Sequence, residues 1–453
     1  MSRADTISPT APSAIKTTGG RDLRLDFFRG LALWFIFIDH IPSSYIGNLT
    51  FRNFGLSDAT EIFVFISGYT AALVYGAALQ KNGAAYMTMQ VAKRVWQLYA
   101  AHILLFIFFI GQIFWVSNRF GNAAFLDELN VAAFLGNPMQ SVLDALILRY
   151  RPVNLDVLPL YMVLLAGLPV ALLLTRVSRV LTLALSIALW LGVQRYQWAF
   201  PEYEDGSTWY FNPLGWQLVF VIGILCASLR NQSSPWLKWR PWLAVIAFID
   251  LVFSFTIAIA WKIPPLYQAI EPFVGSWLYP MIDKTNFAIL RLLHFLATAY
   301  FVAHFIGPDS RILSWRLAKP VIICGQHSLH IFCLGISLSF LAHFVLVQFG
   351  RGLPMQLVVV FGGLCMMTAL ACQLQWYKTR SRSGGSRAER SPAAATPAGS
   401  NAAPSQATAH TKQAPASDTP IGPAPTAAPV RPSATAPGTD IDVPDAPPSD
   451  RRP

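Results

Sequence analysis

Charge is scarce in this chain. Asp, Glu, Lys and Arg make up 13% of its 453 residues, against about 25% in soluble domains. That shortage excludes an ordinary water-facing surface. The net charge of +11 does not indicate nucleic-acid binding, because the cations are scattered over short segments between apolar runs. Cysteine is sparse too. Cys226, Cys324, Cys333, Cys365 and Cys372 all lie in apolar runs with no CxxC pair, which excludes a disulfide framework and a zinc cluster. Residues 1–20 are polar, and no short apolar core followed by a small-residue cleavage site succeeds them. The first apolar run therefore reads as a retained signal-anchor helix.

What the chain has in place of charge is length of apolar sequence: 54% of residues are hydrophobic and the mean hydropathy is +0.44. Apolar segments fall near 28–47, 59–79, 96–116, 157–175, 180–198, 213–229, 241–261, 286–306, 320–347 and 353–375. Each is long enough to cross roughly 30 Å of hydrocarbon. The expected fold is all-α, a polytopic membrane protein with about ten transmembrane helices and the lipid bilayer as its solvent. The run 320–347 is long enough to tilt or kink, with Pro320 in its first turn. Cations such as Arg21, Arg24, Arg29, Lys93, Arg94, Arg176, Arg230 and Lys378 alternate by segment with acids such as Asp127, Glu128, Glu202, Glu271 and Asp283. By the positive-inside rule both termini are cytoplasmic. The longest outer loops are 117–156, 199–212 and 262–285. Their mixture of aromatic and acidic residues suits either a cover over a carbohydrate-sized site or interfacial anchoring. Three regions are expected: a disordered N-terminus over 1–20, a membrane domain over 21–380, and a disordered Pro/Ala/Ser-rich cytoplasmic tail over 381–453.

Ionisable residues inside apolar runs are costly and mark candidate sites. They concentrate in residues 22–69, where Arg24, Asp26 and Arg29 crowd the start of one run, Asp39 and His40 sit deep within it, and Glu61 opens the next. With the N-terminus inside, Arg29 lies at the cytoplasmic mouth and His40 roughly 16 Å further along the axis. Ser57-Asp58 is a plausible N-cap for the returning helix, which puts Glu61 in its first turn on the outer side. Asp39, His40 and Glu61 can then share one depth. A carboxylate, from Asp39 or Glu61, would fix the tautomer of His40 and raise its basicity. The imidazole could then take a proton from an attacking hydroxyl. The bland alternative for a lone intramembrane histidine is a helix-packing hydrogen bond.

These residues resemble a known family. Arg29, ten intervening residues and His40 reproduce the Arg/Lys-x10-His motif of the acyltransferase-three superfamily. EIFVFISGY at 61–69 resembles its Phe-Phe-x-x-Ser-Gly-Phe pattern, with Val64 replacing one Phe and Ser67 retained. Lys93-Arg94 resembles its basic patch. RDLRLDFFRGLALWFIFIDH (21–40) and LSDATEIFVFISGYTAALVYG (56–76) are similar to the OpgC family of bacterial membrane proteins across 21–375. The resemblance implies an O-acyltransferase of the inner (cytoplasmic) membrane. The implied donor is a cytoplasmic acyl-CoA, with succinyl as the acyl group and no further cofactor. The implied acceptor is a hydroxyl of a periplasmic glucan or related glycan. Arg24, Arg29, Lys93 and Arg94 then form a cationic inner mouth for the CoA phosphates, although topogenic roles suit these cations as well.

Other polar residues stand inside spans. Asp156 lies at the outer end of the fourth segment, and Arg291 and His294 lie three apart in the eighth on one helix face. Arg291 needs a partner there: Asp156, Glu61, Asp39 or the carboxylate of a succinyl group. His327 and His330 have metal-like spacing but no third ligand, so polar contact between helices is expected and no metal. A glycan or acyl-carrier transporter is the competing class, yet the matching broken helices of inverted repeats are not evident. A tail-signalling scaffold finds support in nothing but the tail.

Overall fold

The computed structural model describes residues 22–42, 44–203, 206–230 and 238–388, with backbone alone at 274–276 and 381–388. By contacts the chain divides into Met1–Arg390 and Ser391–Pro453. The expected disorder of 1–20, and of the tail from 389 onward, lies outside the described residues.

The described residues are all-helical and contain no strand, only an isolated bridge between Pro201 and Thr208. Helix α1 spans Leu23–Asp39 and starts at Asp22, whose carboxylate accepts the Arg24 backbone N–H. It ends earlier than the apolar run, which places Asp39 and His40 at its C-terminal end and not deep within it. The cause is Pro42: the residue before a proline is pushed out of the α region, so the helix stops just ahead of Ile41. Two 3-10 turns, Ile46–Leu49 and Phe51–Asn53, follow.

Helix α2, Ala59–Phe120, joins two expected spans into one 62-residue element. A straight helix of that length would reach roughly 93 Å, far beyond the bilayer. Gly83 breaks it with φ 84° and ψ 176°, a conformation that only glycine adopts without strain. The two arms can therefore act as separate passes. The expected outer loop 117–156 carries three short helices, α3 (Ala124–Glu128), α4 (Ala132–Gly136) and α5 (Pro138–Leu146). Then come α6 (Val157–Val177), α7 (Arg179–Tyr196), α8 (Pro213–Leu229) and α9 (Pro241–Ala260). The expected outer loop 262–285 is largely helix α10, Pro264–Met281, and α11 spans Ile289–Phe305. The run 320–347 is broken at His327 into α12 (Ala318–Gln326) and α13 (Ser328–Phe349). Last, α14 spans Leu353–Ala388 and so continues past the expected boundary at 380.

Among the described residues, five helices are long and apolar enough to cross a membrane: α2, α6, α9, α13 and the Leu353–Arg380 part of α14; α8 and α11 are shorter apolar helices. The chain is an all-helical membrane protein.

The position of α1 decides where the site lies. It is wedged among α2, α12 and α13, and Phe37 is fully buried. Against α12 the approach is backbone to backbone. A Cβ on Gly30 would collide with the Val321 carbonyl, and one on Gly325 with the Asp26 carbonyl. Small residues allow such close crossings in membrane bundles. Gly30→Ala is expected to destabilise the protein by about 1–3 kcal/mol, read as a lower unfolding midpoint in detergent. An unchanged midpoint would show that the two helices can separate freely.

Candidate active site

The C-terminal end of α1, the N-terminus of α2, the 282–288 loop and the start of α11 converge on one polar cluster. At its edge is His40, half-buried at the C-cap of α1. Its Nδ1 lies 2.6 Å from the carbonyl oxygen of Ile36, one turn back. A carbonyl only accepts, so Nδ1 carries the hydrogen and Nε2 holds the free lone pair. That is the tautomer a general base needs. The orienting group is therefore the backbone of α1, not the carboxylate of Asp39 or Glu61 as expected. Asp39 Oδ1 instead accepts the Thr50 hydroxyl at 2.5 Å, and its backbone carbonyl accepts from Arg52.

Glu61 is fully buried and serves α2. Its Oε2 accepts the Asp58 backbone N–H at 2.8 Å, while the Asp58 side chain accepts the Thr60 N–H, completing a capping box. Its Oε1 receives Arg291 Nε at 2.8 Å and Nη2 at 2.6 Å. Arg291 Nη2 also lies 3.2 Å from Asp58 Oδ2, and Lys284 Nζ donates to the same oxygen. Burial opposes ionisation of Asp58, but Lys284 and Arg291 outweigh it and hold the carboxyl well below the usual carboxylate range. Two acids and two bases thus form a closed, neutral network. Of the partners expected for Arg291, Glu61 is the one present, while Asp39 and Asp156 bond elsewhere. A guanidinium already divided between two carboxylates has little left for a succinyl carboxylate.

His294 stands beside this network in a structural setting. Its Nδ1 accepts the Ser57 N–H at 3.1 Å and lies 2.6 Å from Ser57 Oγ. Phe51 stacks on the ring at 5.7 Å, and Gly55 leaves no room for a Cβ against Nε2. A ring so enclosed has no face left for a substrate. Asp156 belongs to a separate cluster, bonded to Arg151 Nε at 2.9 Å. Arg151 also reaches Glu202 at 2.8 Å and lies over Trp209 at 4.3 Å.

The four candidate cations Arg24, Arg29, Lys93 and Arg94 lie apart from each other in role. Arg24 is paired with Asp22 at 2.8 Å and donates to the Ile306 carbonyl at 3.1 Å, tying α1 to the end of α11. Arg29 is half-buried against α2, donating to the Ile66 carbonyl at 3.3 Å and to the Thr70 hydroxyl. Ser67 is buried on the same arm. Lys93 is exposed, and Arg94 is half-buried with a bond to Gln97 at 3.2 Å. His327 Nε2 lies 3.1 Å from Gln375 Oε1, the interhelical polar contact expected of it, and Gln326 donates to Asp26 at 3.3 Å. No group of three His, Cys, Asp or Glu able to share an ion is present among the described residues.

Thr50, Lys284 and Arg151 were not legible as site residues. The segment of Lys284, 262–285, also holds Lys262, Glu271 and Asp283, so Lys284 did not stand out as a cation.

A helical membrane bundle with a histidine at the edge of a buried polar cluster is the class of protein that these features define. The family described as OpgC protein matches residues 21–379, and the chain belongs to that family. Membership together with the apolar helices supports a membrane transferase. Comparison with curated proteins and with solved structures found no match.

Proposed function

We propose that the protein is a multi-pass O-acyltransferase of the bacterial inner membrane. It would move an acyl group, succinyl in the family's named activity, from cytoplasmic acyl-CoA to a hydroxyl of a periplasmic glucan or related glycan. The reading places it within the acyltransferase-three superfamily. The single observation that carries it is the α1 arrangement. Arg29 and His40 are eleven residues apart, about three full turns, and so share one helix face, with Arg29 in the N-terminal half of α1 and His40 at its C-cap. His40 offers a lone pair on Nε2 there. Counting the two arms of α2 separately, ten passes are formed by α1, α2, α6, α7, α8, α9, α11, α13 and α14, with both termini cytoplasmic.

In this mechanism Nε2 of His40 removes the proton from a glycan hydroxyl as its oxygen attacks the thioester carbonyl. The C–S bond breaks as the C–O ester bond forms. The CoA thiolate leaves and takes the proton back from the imidazolium. Arg29, at the inner end, holds donor phosphate. Mass spectrometry of periplasmic glucans and surface polysaccharides from a deletion strain tests the reading. Loss of an acyl substituent supports it, and unchanged glycans would refute it. Arg29→Ala is expected to raise the KM for acyl-CoA by about tenfold or more with a smaller change in kcat, measured on purified protein. An unchanged donor KM would remove its role.

A further inference from the structure

Beside His40 lies a cleft of about 520 Å³ that the reading so far leaves unused. Its size falls in the range of small-molecule sites, ~300–1,000 Å³. Two of its lining residues, Asp39 and Ile41, flank His40 in sequence, so the cleft opens next to the base. Its other polar walls are Tyr45, Asn48, Arg52, Asn53 and Arg351.

We infer that this cleft binds the carbohydrate acceptor, an inference that rests on the acyltransferase reading. The lining has the chemistry of sugar recognition and not that of an acyl chain. A carboxylate, two guanidinium groups and two carboxamides offer planar hydrogen-bonding groups for hydroxyls. Tyr45 is 66% exposed, leaving its ring face free to stack on a sugar ring. Thr50 engages Oδ1 of Asp39, and Oδ2 makes no hydrogen bond among the described residues. Asp39 thus becomes the group that grips the acceptor next to the base.

The walls are held in place before any ligand arrives. Fully buried Gln356 of α14 accepts the Tyr45 N–H at 2.7 Å through Oε1 and donates to the Arg351 carbonyl at 2.9 Å through Nε2. One carboxamide therefore ties both rims together. Asn53 donates to the Gly47 carbonyl at 2.6 Å, and Lys262 donates to Asn48 at 3.2 Å. A rim fixed this way loses little conformational entropy on binding. The cleft also lies at the opposite end of α1 from Arg29, so donor and acceptor would approach His40 from opposite ends.

The test uses the full chain in nanodiscs, with Tyr45→Ala and Tyr45→Phe. Acyl transfer to a glucose trisaccharide should show an acceptor KM raised about tenfold in Tyr45→Ala, equivalent to ~1.4 kcal/mol, with the donor KM unchanged and Tyr45→Phe near wild type. Binding of the trisaccharide alone, read by saturation-transfer NMR, should weaken in parallel. An unchanged acceptor KM, or equal changes in both KM values, overturns the assignment of the cleft. The NMR measurement needs no acyl transfer, so it judges the cleft even if the enzyme reading fails. Conversely, loss of transfer in His40→Ala with normal sugar affinity in Tyr45→Ala would leave the enzyme reading standing and the cleft refuted.

Discussion

His40→Ala is expected to lose acyl transfer by about 10²–10⁴-fold while the protein still accumulates in the membrane. The two halves of that expectation have separate physical grounds. The imidazole is half-buried, and its one hydrogen bond among the described residues goes to Ile36 within its own helix. Losing such a bond costs about 0.5–1.5 kcal/mol, too little to unfold a bundle with this much buried apolar surface. The catalytic loss is large because the Ile36 carbonyl fixes the tautomer, and no other described imidazole at that end of α1 can take over the proton. His294 cannot substitute, since its Nδ1 is engaged by Ser57 and its Nε2 faces Gly55. The measurement is transfer from acyl-CoA by purified protein, beside its unfolding midpoint in detergent. A folded His40→Ala protein with normal transfer would exclude His40 as the base. An unfolded one would assign His40 a packing role.

Why some features were legible in the sequence and others were not follows from the range of the forces involved. Helix α8 begins at Pro213 behind Asn212, whose side chain caps the Leu214 N–H. Cap and proline are local signals, and the expected segment 213–229 matches. The end of α1 was misjudged because hydropathy continues through residues 41–47 while the backbone obeys Pro42. The expected apolar runs flanking Gly83 look like two helices, and only φ and ψ show them to be one element with a break. The residue types of the site were legible for the same reason as the spans: charges are rare in apolar sequence. Their pairing was not. Arg291 and Glu61 lie 230 positions apart, and nothing local says which helices are neighbours. The orienting group of His40 was missed for a different reason. A backbone carbonyl has no side-chain signature, so attention went to carboxylates.

Arg291→Met is expected to be among the most destabilising single changes at the site, costing about 3–5 kcal/mol. It would leave Glu61, fully buried, and Asp58 facing one another with Lys284 alone to balance them. Unpaired buried charge is the expensive outcome, more than the loss of the pair itself. The double variant Glu61→Gln with Arg291→Met should therefore be more stable than Arg291→Met alone. Exchanging the carboxylate for a carboxamide removes the orphaned charge, while the amide carbonyl can still accept the Asp58 N–H. Unfolding midpoints of the wild type, both single variants and the double variant form a cycle that isolates this coupling. The same proteins distinguish the network from a donor-binding role for Arg291. If the guanidinium held a succinyl carboxylate, Arg291→Met would raise the KM for succinyl-CoA selectively over acetyl-CoA, and its unfolding midpoint would stay near wild type. The closed neutral arrangement of Asp58, Glu61, Lys284 and Arg291 predicts the reverse, a large loss of stability with no change in donor preference. The role that follows for these residues is to clamp α2 to α11, so that the C-terminal end of α1 meets a rigid wall.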